Sequence, residues 1–263
     1  MPSSFDHAAT TYDHDFTHTD LGRWLRGRVW ERLTRLFPSG SFVLELGCGT
    51  GEDAVWLAQQ GVRVLATDAS PVMLEQTQAK AHAAGVEVET ALLDLNALPA
   101  EFAYQFDGVY SNFGPLNCTR DWAGLARFLH PRLTPQARLG FGVMSPFCLW
   151  ETLWHGVHLD FKTATRRWKR HTTATLPDGA TFPVYYPSPR QLASALAPYF
   201  QQTAILGLGV FLPPSDSFGV IEKRPRLARR LMAFEQRWAA RWPFRTWADH
   251  YWMELTWQPN IST

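Results

Sequence analysis

The chain has 263 residues, of which 46% are hydrophobic and 19% charged, and its formal net charge is +1. This length and apolar content predict a folded α/β domain with additions and exclude a disordered chain. The near-neutral charge gives no support to a nucleic-acid partner, and no apolar run reaches the length of a transmembrane helix.

The N-terminus and the cysteines indicate the compartment. MPSSFDHAATTYDHDF lacks the basic and apolar regions of a signal peptide. The three cysteines, Cys48, Cys118 and Cys148, include no CxxC pair, which argues against a disulfide framework. Two thiols near the predicted binding edge make a poor metal site without a third ligand, so no bound metal is expected. We therefore expect a cytoplasmic protein, either a monomer or a homodimer.

The first half of the chain alternates strands with helices. Apolar residues at helical spacing predict a first helix over 20–36, which Phe37-Pro38-Ser39-Gly40 ends. The predicted strands are 41–46, 62–68, 86–95, 105–112 and 137–144, and the helices between them are 52–60, 71–84 and 121–133. Short links between alternating elements predict a parallel sheet with helices on both faces.

The alternation breaks after residue 145. Residues 146–187 are rich in aromatics and basic residues, and we expect them to cover the sheet edge where ligands bind. Beyond them we predict helices over 188–200 and 223–241 and strands over 203–211 and 251–257. The expected domains are an N-terminal helical lid (1–40), a binding core (41–145), a substrate cap (146–187) and a segment that completes the sheet (188–263).

The glycine turn Gly47-Cys48-Gly49-Thr50-Gly51 joins the predicted strand 41–46 to the helix 52–60. A dinucleotide fingerprint has its third glycine one place later, where this chain has Glu52, followed by Asp53. Two carboxylates at a helix N-terminus oppose a pyrophosphate, and no Lys-Ser/Thr pair follows as in a phosphate-binding loop. The turn therefore favours a ligand without phosphate, and Glu45 adds a third carboxylate nearby.

Acidic residues end the next two predicted strands. Asp68 ends strand 62–68, where a carboxylate can accept both hydroxyls of a ribose; the alternative is a helix-capping acid. Asp94 ends strand 86–95, where an adenine amino group would lie; the alternative is a turn acid, since Asn96 and Pro99 follow closely. Ligands of open α/β sheets bind at this carboxyl edge.

This arrangement resembles the class I S-adenosylmethionine-dependent methyltransferases over roughly residues 40–145. ELGCGTG looks like their first motif, and FDHAATTYDHDF looks like a first segment that closes over the cofactor. The resemblance implies a Rossmann-like, seven-stranded, mostly parallel sheet whose last strand is antiparallel, with YWMELTW as the candidate. It implies S-adenosyl-L-methionine as cofactor and S-adenosyl-L-homocysteine as product. The implied cofactor-binding residues are Tyr12, Glu45, Gly47, Cys48, Gly49, Gly51, Asp68, Ala69, Met73, Asp94, Leu95, Asn112 and Phe113.

The cap carries the candidates for the methyl acceptor. Its abundant aromatics favour a flat or hydrophobic substrate; the alternative is internal packing of the cap. The candidates for a substrate wall are Phe147, Trp150, Trp154, Phe161, Phe182, Tyr185 and Tyr186, with Trp150, Trp154, Tyr185 and Tyr186 named as contacts. His155 and His158 are weak candidates for a catalytic base, since a histidine there can deprotonate a hydroxyl or amine. The alternative is a histidine on the pocket rim.

The predicted function is methyl transfer to an oxygen, nitrogen or carbon nucleophile of a small molecule. An NAD-dependent oxidoreductase and a non-catalytic S-adenosylmethionine-binding protein remain alternatives. The arginine-rich helix 223–241 also fits a weak contact with anionic lipid; its alternative is packing on the sheet with a solvated basic face.

Overall fold

The computed structural model describes residues 19–175, 179–213 and 224–259. The helices are α1 (Asp20–Leu36), α2 (Glu52–Gln59), α3 (Pro71–Ala84), α4 (Trp122–Leu129), α5 (Leu149–Val157), α6 (Phe161–Ala164), α7 (Pro189–Leu196) and α8 (Pro225–Trp238). The strands are β1 (Phe42–Leu46), β2 (Arg63–Asp68), β3 (Glu89–Leu92), β4 (Phe106–Ser111), β5 (Leu133–Met144), β6 (His171–Thr175), β7 (Thr181–Tyr185), β8 (Phe200–Leu208) and β9 (His250–Trp257).

A seven-stranded sheet in the order β3-β2-β1-β4-β5-β9-β8 forms the centre of the protein. The strands from β3 to β5 pair in parallel, and β9 pairs antiparallel with both β5 and β8. This confirms the predicted seven-stranded, mostly parallel sheet, including the antiparallel YWMELTW strand. The chain order reverses between β1 and β4, and the carboxyl ends of those two strands therefore flank the crevice in which open α/β sheets bind ligands.

Helix α1 forms because its apolar residues fall on one face. Leu21, Leu25, Val29 and Leu33 recur every four residues, and all four are buried on the sheet face that carries Val43, Val64 and Trp252. The hydroxyl of Thr19 caps the helix by accepting from Gly22 N at 3.0 Å. Burial of this stripe places α1 beside the amino end of α2, next to the glycine turn.

Helix α3 has the ends that its sequence predicts. Ser70 Oγ accepts from Met73 N at 3.2 Å, and Pro71 occupies the first helical position. Gly85 ends the helix in the left-handed conformation with φ of 66°. These caps hold the start of α3 directly after Asp68, so that β2, the acid and the helix form one rigid corner.

The cap (residues 146–187) contains structure that the sequence reading did not anticipate. After α5 and α6, strands β6 and β7 pair antiparallel as a separate two-stranded sheet. The sequence HTTAT alternates weakly and Pro183 lies inside β7, so neither run reads as a strand without its partner. Residues 176–178, between β6 and β7, lie outside the described residues. Among the described helices, none combines the length and the apolar character that a bilayer span requires.

Candidate active site

Hydrogen bonds to β2 and to α3 hold the glycine turn. Cys48 N donates to Thr67 O at 2.8 Å, and Thr77 Oγ1 donates to Gly49 O at 3.1 Å. Gly47 has φ of 71°, and a Cβ placed there would lie 2.3 Å from the side chain of Pro115. Glycine is therefore required both by the backbone conformation and by the close approach of the β4–α4 connection.

Asp68 links the glycine turn to the start of α3. Its carboxylate accepts from Gly49 N at 3.0 Å and from Ser70 N at 2.9 Å. Asp68 therefore holds the backbone around the start of α3, which is close to the helix-capping alternative. Its side chain also forms part of the wall of the central cavity. The two roles are compatible because a carboxylate accepts several hydrogen bonds.

The two carboxylates that open α2 are each paired with a cation. Glu52 Oε2 lies 2.9 Å from Lys80 Nζ, and the buried Asp53 Oδ1 lies 2.8 Å from a guanidinium nitrogen of Arg26. The expectation that both acids would repel a pyrophosphate is therefore weakened, because their charge is compensated locally. The argument against a dinucleotide then depends on the missing third glycine.

Asp53 also fixes the residue that follows β4. It accepts from Trp30 Nε1 at 2.7 Å and from Asn112 Nδ2 at 2.9 Å. The guanidinium of Arg26 lies 5.2 Å from the ring centre of Phe113. Helix α1, the start of α2 and the end of β4 are thus joined through one buried carboxylate.

Glu45 is fully buried at the end of β1, and burial raises the pKa of its carboxyl well above the usual range, with the charge of Asp53 adding to the rise. The Tyr110 hydroxyl faces this carboxyl outside hydrogen-bonding geometry and offsets the pKa rise only in part. Oε2 of Glu45 has no hydrogen-bond partner among the described residues. A buried acceptor without a partner in the cavity wall suits a ligand that brings a donor.

A cavity of about 410 Å³ lies over the carboxyl ends of β1, β2, β4 and β5. The glycine turn and Asp68 form one end, and the cap forms the other. Its lining residues are Arg26, Glu45, Gly47, Cys48, Gly49, Asp53, Asp68, Ala69, Met73, Leu93, Asp94, Leu95, Asn96, Asn112, Phe113, Gly114, Pro115, Cys118, Met144, Arg166, Arg167, Ala174, Phe182, Val184 and Tyr186. The cavity is large enough for a nucleoside-sized ligand with a smaller molecule beside it.

Eleven of the residues predicted to bind a cofactor meet in this wall. They are Glu45, Gly47, Cys48, Gly49, Asp68, Ala69, Met73, Asp94, Leu95, Asn112 and Phe113. Gly51 lies outside the lining: it precedes α2 with φ of 79° and packs against Thr77. Asp94 accepts a hydrogen bond from Asn96 N at 2.8 Å. It therefore stabilises the local turn, as the alternative reading expected, and also lines the cavity. Tyr12 lies outside the described residues.

The cap end of the cavity is mostly apolar, and β6 and β7 supply it. Ala174, Phe182, Val184 and Tyr186 form this wall, and of these Phe182 and Tyr186 were among the aromatics expected to form a substrate wall. The Tyr186 hydroxyl lies 3.1 Å from Thr172 Oγ1, which fixes the ring. Sequence reasoning missed Ala174 and Val184 because the inward-facing residues become evident only once the two strands pair.

The other cap residues named as substrate contacts or as a base lie on α5, directly after it, or at the end of β7, and they are not part of the cavity lining. Trp150 and Trp154 stack with ring centres 6.5 Å apart. His155 Nδ1 lies 3.4 Å from Asp160 Oδ2. His158 is exposed, and its Nδ1 lies within hydrogen-bonding distance of Trp154 O, at 2.8 Å. Neither these residues nor Tyr185 belong to the described lining, so their predicted roles remain predictions.

A buried charge cluster anchors the cap to the sheet. Glu151 accepts from both Arg166 and Arg167, and Arg167 also reaches Asp249 Oδ1 at 2.7 Å, where β9 begins. Burial opposes ionisation of Asp249, but Arg167 and then His250 outweigh it and lower the pKa of this carboxyl. The basic residues noted in the sequence as a cluster are thus partly internal ion-pair partners, and Arg166 and Arg167 line the cavity.

Asn117 is a buried residue that sequence reasoning did not single out. Its Nδ2 donates to Met144 O at 3.2 Å and to Tyr185 O at 2.6 Å, and its Oδ1 accepts from Met144 N at 2.9 Å. One side chain therefore joins the connection after β4, the end of β5 and the cap strand β7. The only sequence signal is its place in SNFGPLN, which follows a strand that ends at the binding edge.

The cysteines are held as thiols. Burial raises the pKa of Cys118 and of Cys148 to about 12, so neither is a thiolate at neutral pH. Cys118 lines the cavity, whereas Cys148 is buried directly before α5. Among the described residues no group of three potential ligands is placed to hold a metal ion.

Residues 43–136 match the family model described as a methyltransferase domain, and this segment supplies the glycine turn, Asp68 and Asp94. Residues 43–136 form a methyltransferase domain. The match covers the part of the sheet that forms the glycine-turn end of the cavity. The cap and the strands β8 and β9 lie beyond it.

Comparisons with individual proteins agree with this methyltransferase domain. A ubiquinone biosynthesis O-methyltransferase of Xanthomonas axonopodis pv. citri is 35% identical over 75 residues, 28% of this chain and 31% of that protein. A demethylmenaquinone methyltransferase of Clavibacter sepedonicus is 31% identical over 139 residues, 53% of this chain and 56% of that protein. The chain spans 29% of the length of three Mycobacterium relatives that it matches.

The solved structures show the same fold around the methyltransferase domain. An S-adenosylmethionine-dependent methyltransferase from Mesorhizobium loti superposes with a TM-score of 0.54, covering 86% of this chain and 96% of that chain at 21% identity. At this identity the likeness establishes the fold alone. The superposed part of the chain is longer than the segment that the family model matches.

Proposed function

We propose that this chain transfers the methyl group of S-adenosyl-L-methionine to an oxygen, nitrogen or carbon nucleophile of a small aromatic or hydrophobic molecule, leaving S-adenosyl-L-homocysteine. The observation that carries the proposal is the two-ended cavity. A glycine turn with an acid at the end of β2 forms one end, and an apolar cap wall forms the other. The methyltransferase-domain match covers the first of these ends.

The residues at the glycine-turn end fit the cofactor. Asp68 presents a carboxylate that suits ribose hydroxyls, and Met73 and Leu95 offer apolar contacts on the α3 side of the cavity. Glu45 offers a buried acceptor without a partner, which suits an amino group. The compensated Arg26–Asp53 pair adds no net charge against a cationic ligand. When bound, S-adenosylmethionine supplies a sulfonium-activated methyl group.

This chain contributes mainly positioning and exclusion of water. Phe182, Val184 and Tyr186 form an apolar wall opposite the glycine turn, which suits a flat acceptor. Cys118 stays protonated, so the described lining offers no thiolate as a base. Holding donor and acceptor in line removes much of the entropic barrier to a displacement, and this is the part of catalysis that the cavity supports.

The names of two relatives suggest which classes of acceptor should be tested first. One relative is named as acting in ubiquinone biosynthesis and another as a demethylmenaquinone methyltransferase. Both names indicate ring substrates of quinone type, and an apolar cap wall suits such rings. Phenolic and quinol compounds therefore head the acceptor screen, ahead of amines and other hydrophobic rings.

The first test is calorimetric titration with S-adenosylmethionine, S-adenosylhomocysteine and NAD. We expect micromolar binding of the sulfur ligands and none of NAD. Asp68→Asn is expected to weaken binding by at least about tenfold. The matched control is Glu89→Gln, which removes an exposed carboxylate at the opposite end of the sheet, paired with Arg63. Binding of NAD alone would overturn the proposal, and binding without transfer to any acceptor would favour the non-catalytic alternative.

A further inference from the structure

The tip of the cap carries apolar side chains that the described protein does not cover. Leu153, Val157, Leu159 and Phe161, here called the cap tip, are exposed by 60%, 80%, 76% and 62%. They belong to α5, to α6 and to the connection between these helices. Four large apolar side chains so exposed within nine residues far exceed the scattered surface leucines of ordinary proteins.

Leu159 stands out because its backbone is strained as well. It has φ of 61°, in the left-handed region where the residue after a helix is usually glycine. A leucine there loses stability in the isolated protein and gains no packing that would offset the loss. Strained residues persist where function needs the side chain in that place. An exposed, strained leucine at the tip of two helices therefore indicates contact with something outside the chain.

An aromatic band continues this surface from the cap toward α8. Phe147 lies 6.3 Å from Trp168 and 5.7 Å from Trp247, measured between ring centres. Phe244 lies 6.2 Å from Trp247, and Phe211 joins Phe244 to Phe234 at 5.1 Å and 6.2 Å. Trp168 and Phe234 at the two ends of the band are exposed, and so is Trp247 in its middle. The band accounts for part of the tryptophan content after residue 149.

The helix at the far end of this band is strongly basic. Residues 224–245 contain one acid, Glu235, and it is buried with its carboxylate accepting from Gly209 N, Val210 N and Phe211 N. The arginines of the same segment are Arg224, Arg226, Arg229, Arg230, Arg237, Arg241 and Arg245. The exposed charge of this segment is therefore entirely positive, although the whole chain has a net charge of only +1.

Packing connects the basic helix to the cap tip. Leu149 N donates to Trp247 O at 2.9 Å, and the Leu149 side chain packs with Phe211 and Phe244 in a small apolar cluster. Helix α5 then runs nine residues to the tip. Near the tip, Lys162, Lys169 and Arg170 are exposed. Apolar tip, aromatic rings and cations thus lie along connected elements.

We propose that the cap tip, the aromatic band and the arginines of α8 form one face that docks on an anionic lipid bilayer. Apolar side chains that penetrate the interface, aromatic rings at the headgroup level and cations beside them are the combination that such a surface binds. The positive charge selects anionic lipid over a second copy of this chain, because two copies of the face would repel each other. The inference extends the membrane contact predicted for helix 223–241 to the cap.

Binding to vesicles tests this directly, without methyl donor, so the outcome is independent of the proposed transfer reaction. The full chain is mixed with phosphatidylcholine vesicles with and without phosphatidylglycerol, and the bound fraction is measured by flotation. We expect binding only to the vesicles that contain phosphatidylglycerol. Leu159→Ser should lower the partition coefficient roughly fivefold or more, and Arg229→Glu roughly tenfold or more.

Two matched variants serve as controls. Leu92→Ser removes another exposed leucine, 62% exposed against 76% for Leu159, from β3 at the opposite edge of the sheet. Arg35→Glu reverses an exposed charge at the end of α1. Both should bind like the parent chain. Absence of binding to phosphatidylglycerol vesicles, or equal losses in the controls, would overturn the proposal. A dimer that Leu159→Ser dissociates in light scattering, with vesicle binding unchanged, would assign the face to a second copy instead.

Discussion

Arg26 of α1 and Asp53 of α2 form an ion pair at 2.8 Å, with side chains only 7% and 4% exposed. The pair joins the first helix to the helix that starts directly after the glycine turn. Trp30 and Asn112 complete the set of donors around Asp53. The first helix therefore takes part in building the cavity, whose wall includes both Arg26 and Asp53.

Asp53→Asn should destabilise the protein by about 3 kcal/mol, because it leaves the Arg26 charge buried without its carboxylate. Urea unfolding measures the change. Glu31→Gln is the control on α1, since Glu31 pairs with Arg28 in an exposed position, and it should cost less than about 1 kcal/mol. If both variants lost the same free energy of unfolding, burial would not make the Arg26–Asp53 ion pair more important for stability than the Arg28–Glu31 ion pair.

Gly47→Ala should cost at least about 1 kcal/mol more than Gly40→Ala. Both glycines have positive φ, but a Cβ at residue 47 would meet Pro115, whereas a Cβ at residue 40 would meet nothing within 4 Å. The difference isolates the close approach from the backbone conformation. Thermal unfolding and cofactor titration of both variants measure it. Equal stability of the two variants would show that Pro115 moves aside freely.

Asn117→Ala should loosen the cap, because it removes the hydrogen bonds to Met144 and Tyr185. We expect faster amide hydrogen exchange in β7 and a higher KM for the acceptor, with cofactor affinity unchanged within about twofold. Asn117→Asp keeps the acceptor for Met144 N and loses both donors, so it should resemble the alanine variant. A fall in cofactor affinity alone would contradict this role for Asn117.

Phe182→Ala should raise the acceptor KM roughly tenfold and leave cofactor binding unchanged, because the ring lines the cap end of the cavity. Trp154→Ala is the matched comparison, since Trp154 was a sequence candidate but lies outside the described lining. It should change the acceptor KM by less than about twofold. Steady-state kinetics with an identified acceptor decides between the two, and the reverse order would favour the sequence-based assignment.

Acid should loosen the attachment of the cap through Asp249. The pKa of this carboxyl is lowered in the folded protein, where Arg167 and His250 outweigh the effect of burial. Its stabilising contribution is therefore complete above the unfolded pKa of about 3.9 and is lost as pH falls through the folded pKa. Asp249→Asn should lower stability at neutral pH and flatten the loss below about pH 4. If Asp249→Asn left the loss of stability below about pH 4 unchanged, Asp249 would not be the group responsible for that loss.

Local chemistry in the sequence was sufficient for the glycine-turn end of the site. The turn, Asp68 and Asp94 follow strands whose apolar residues mark them as buried, and Ser70, Pro71 and Gly85 mark both ends of α3. These signals depend on neighbours a few residues apart. They predicted the alternating strands and helices and the positions of the glycine turn, Asp68 and Asp94. The antiparallel β9 and the full set of cofactor-binding residues, eleven of which line the cavity, came from the resemblance to methyltransferases.

Long-range contacts decided the rest. The pairing of Arg26 with Asp53 spans 27 positions by residue number, and Asn117 meets Tyr185 across 68 positions. Nothing in a single sequence predicts that these residues are partners. Strands β6 and β7 become recognisable only when their side chains alternate against each other. The sequence therefore determined the glycine-turn end of the cavity. The tertiary structure decided which cap residues line the other end, because that lining depends on packing between distant segments.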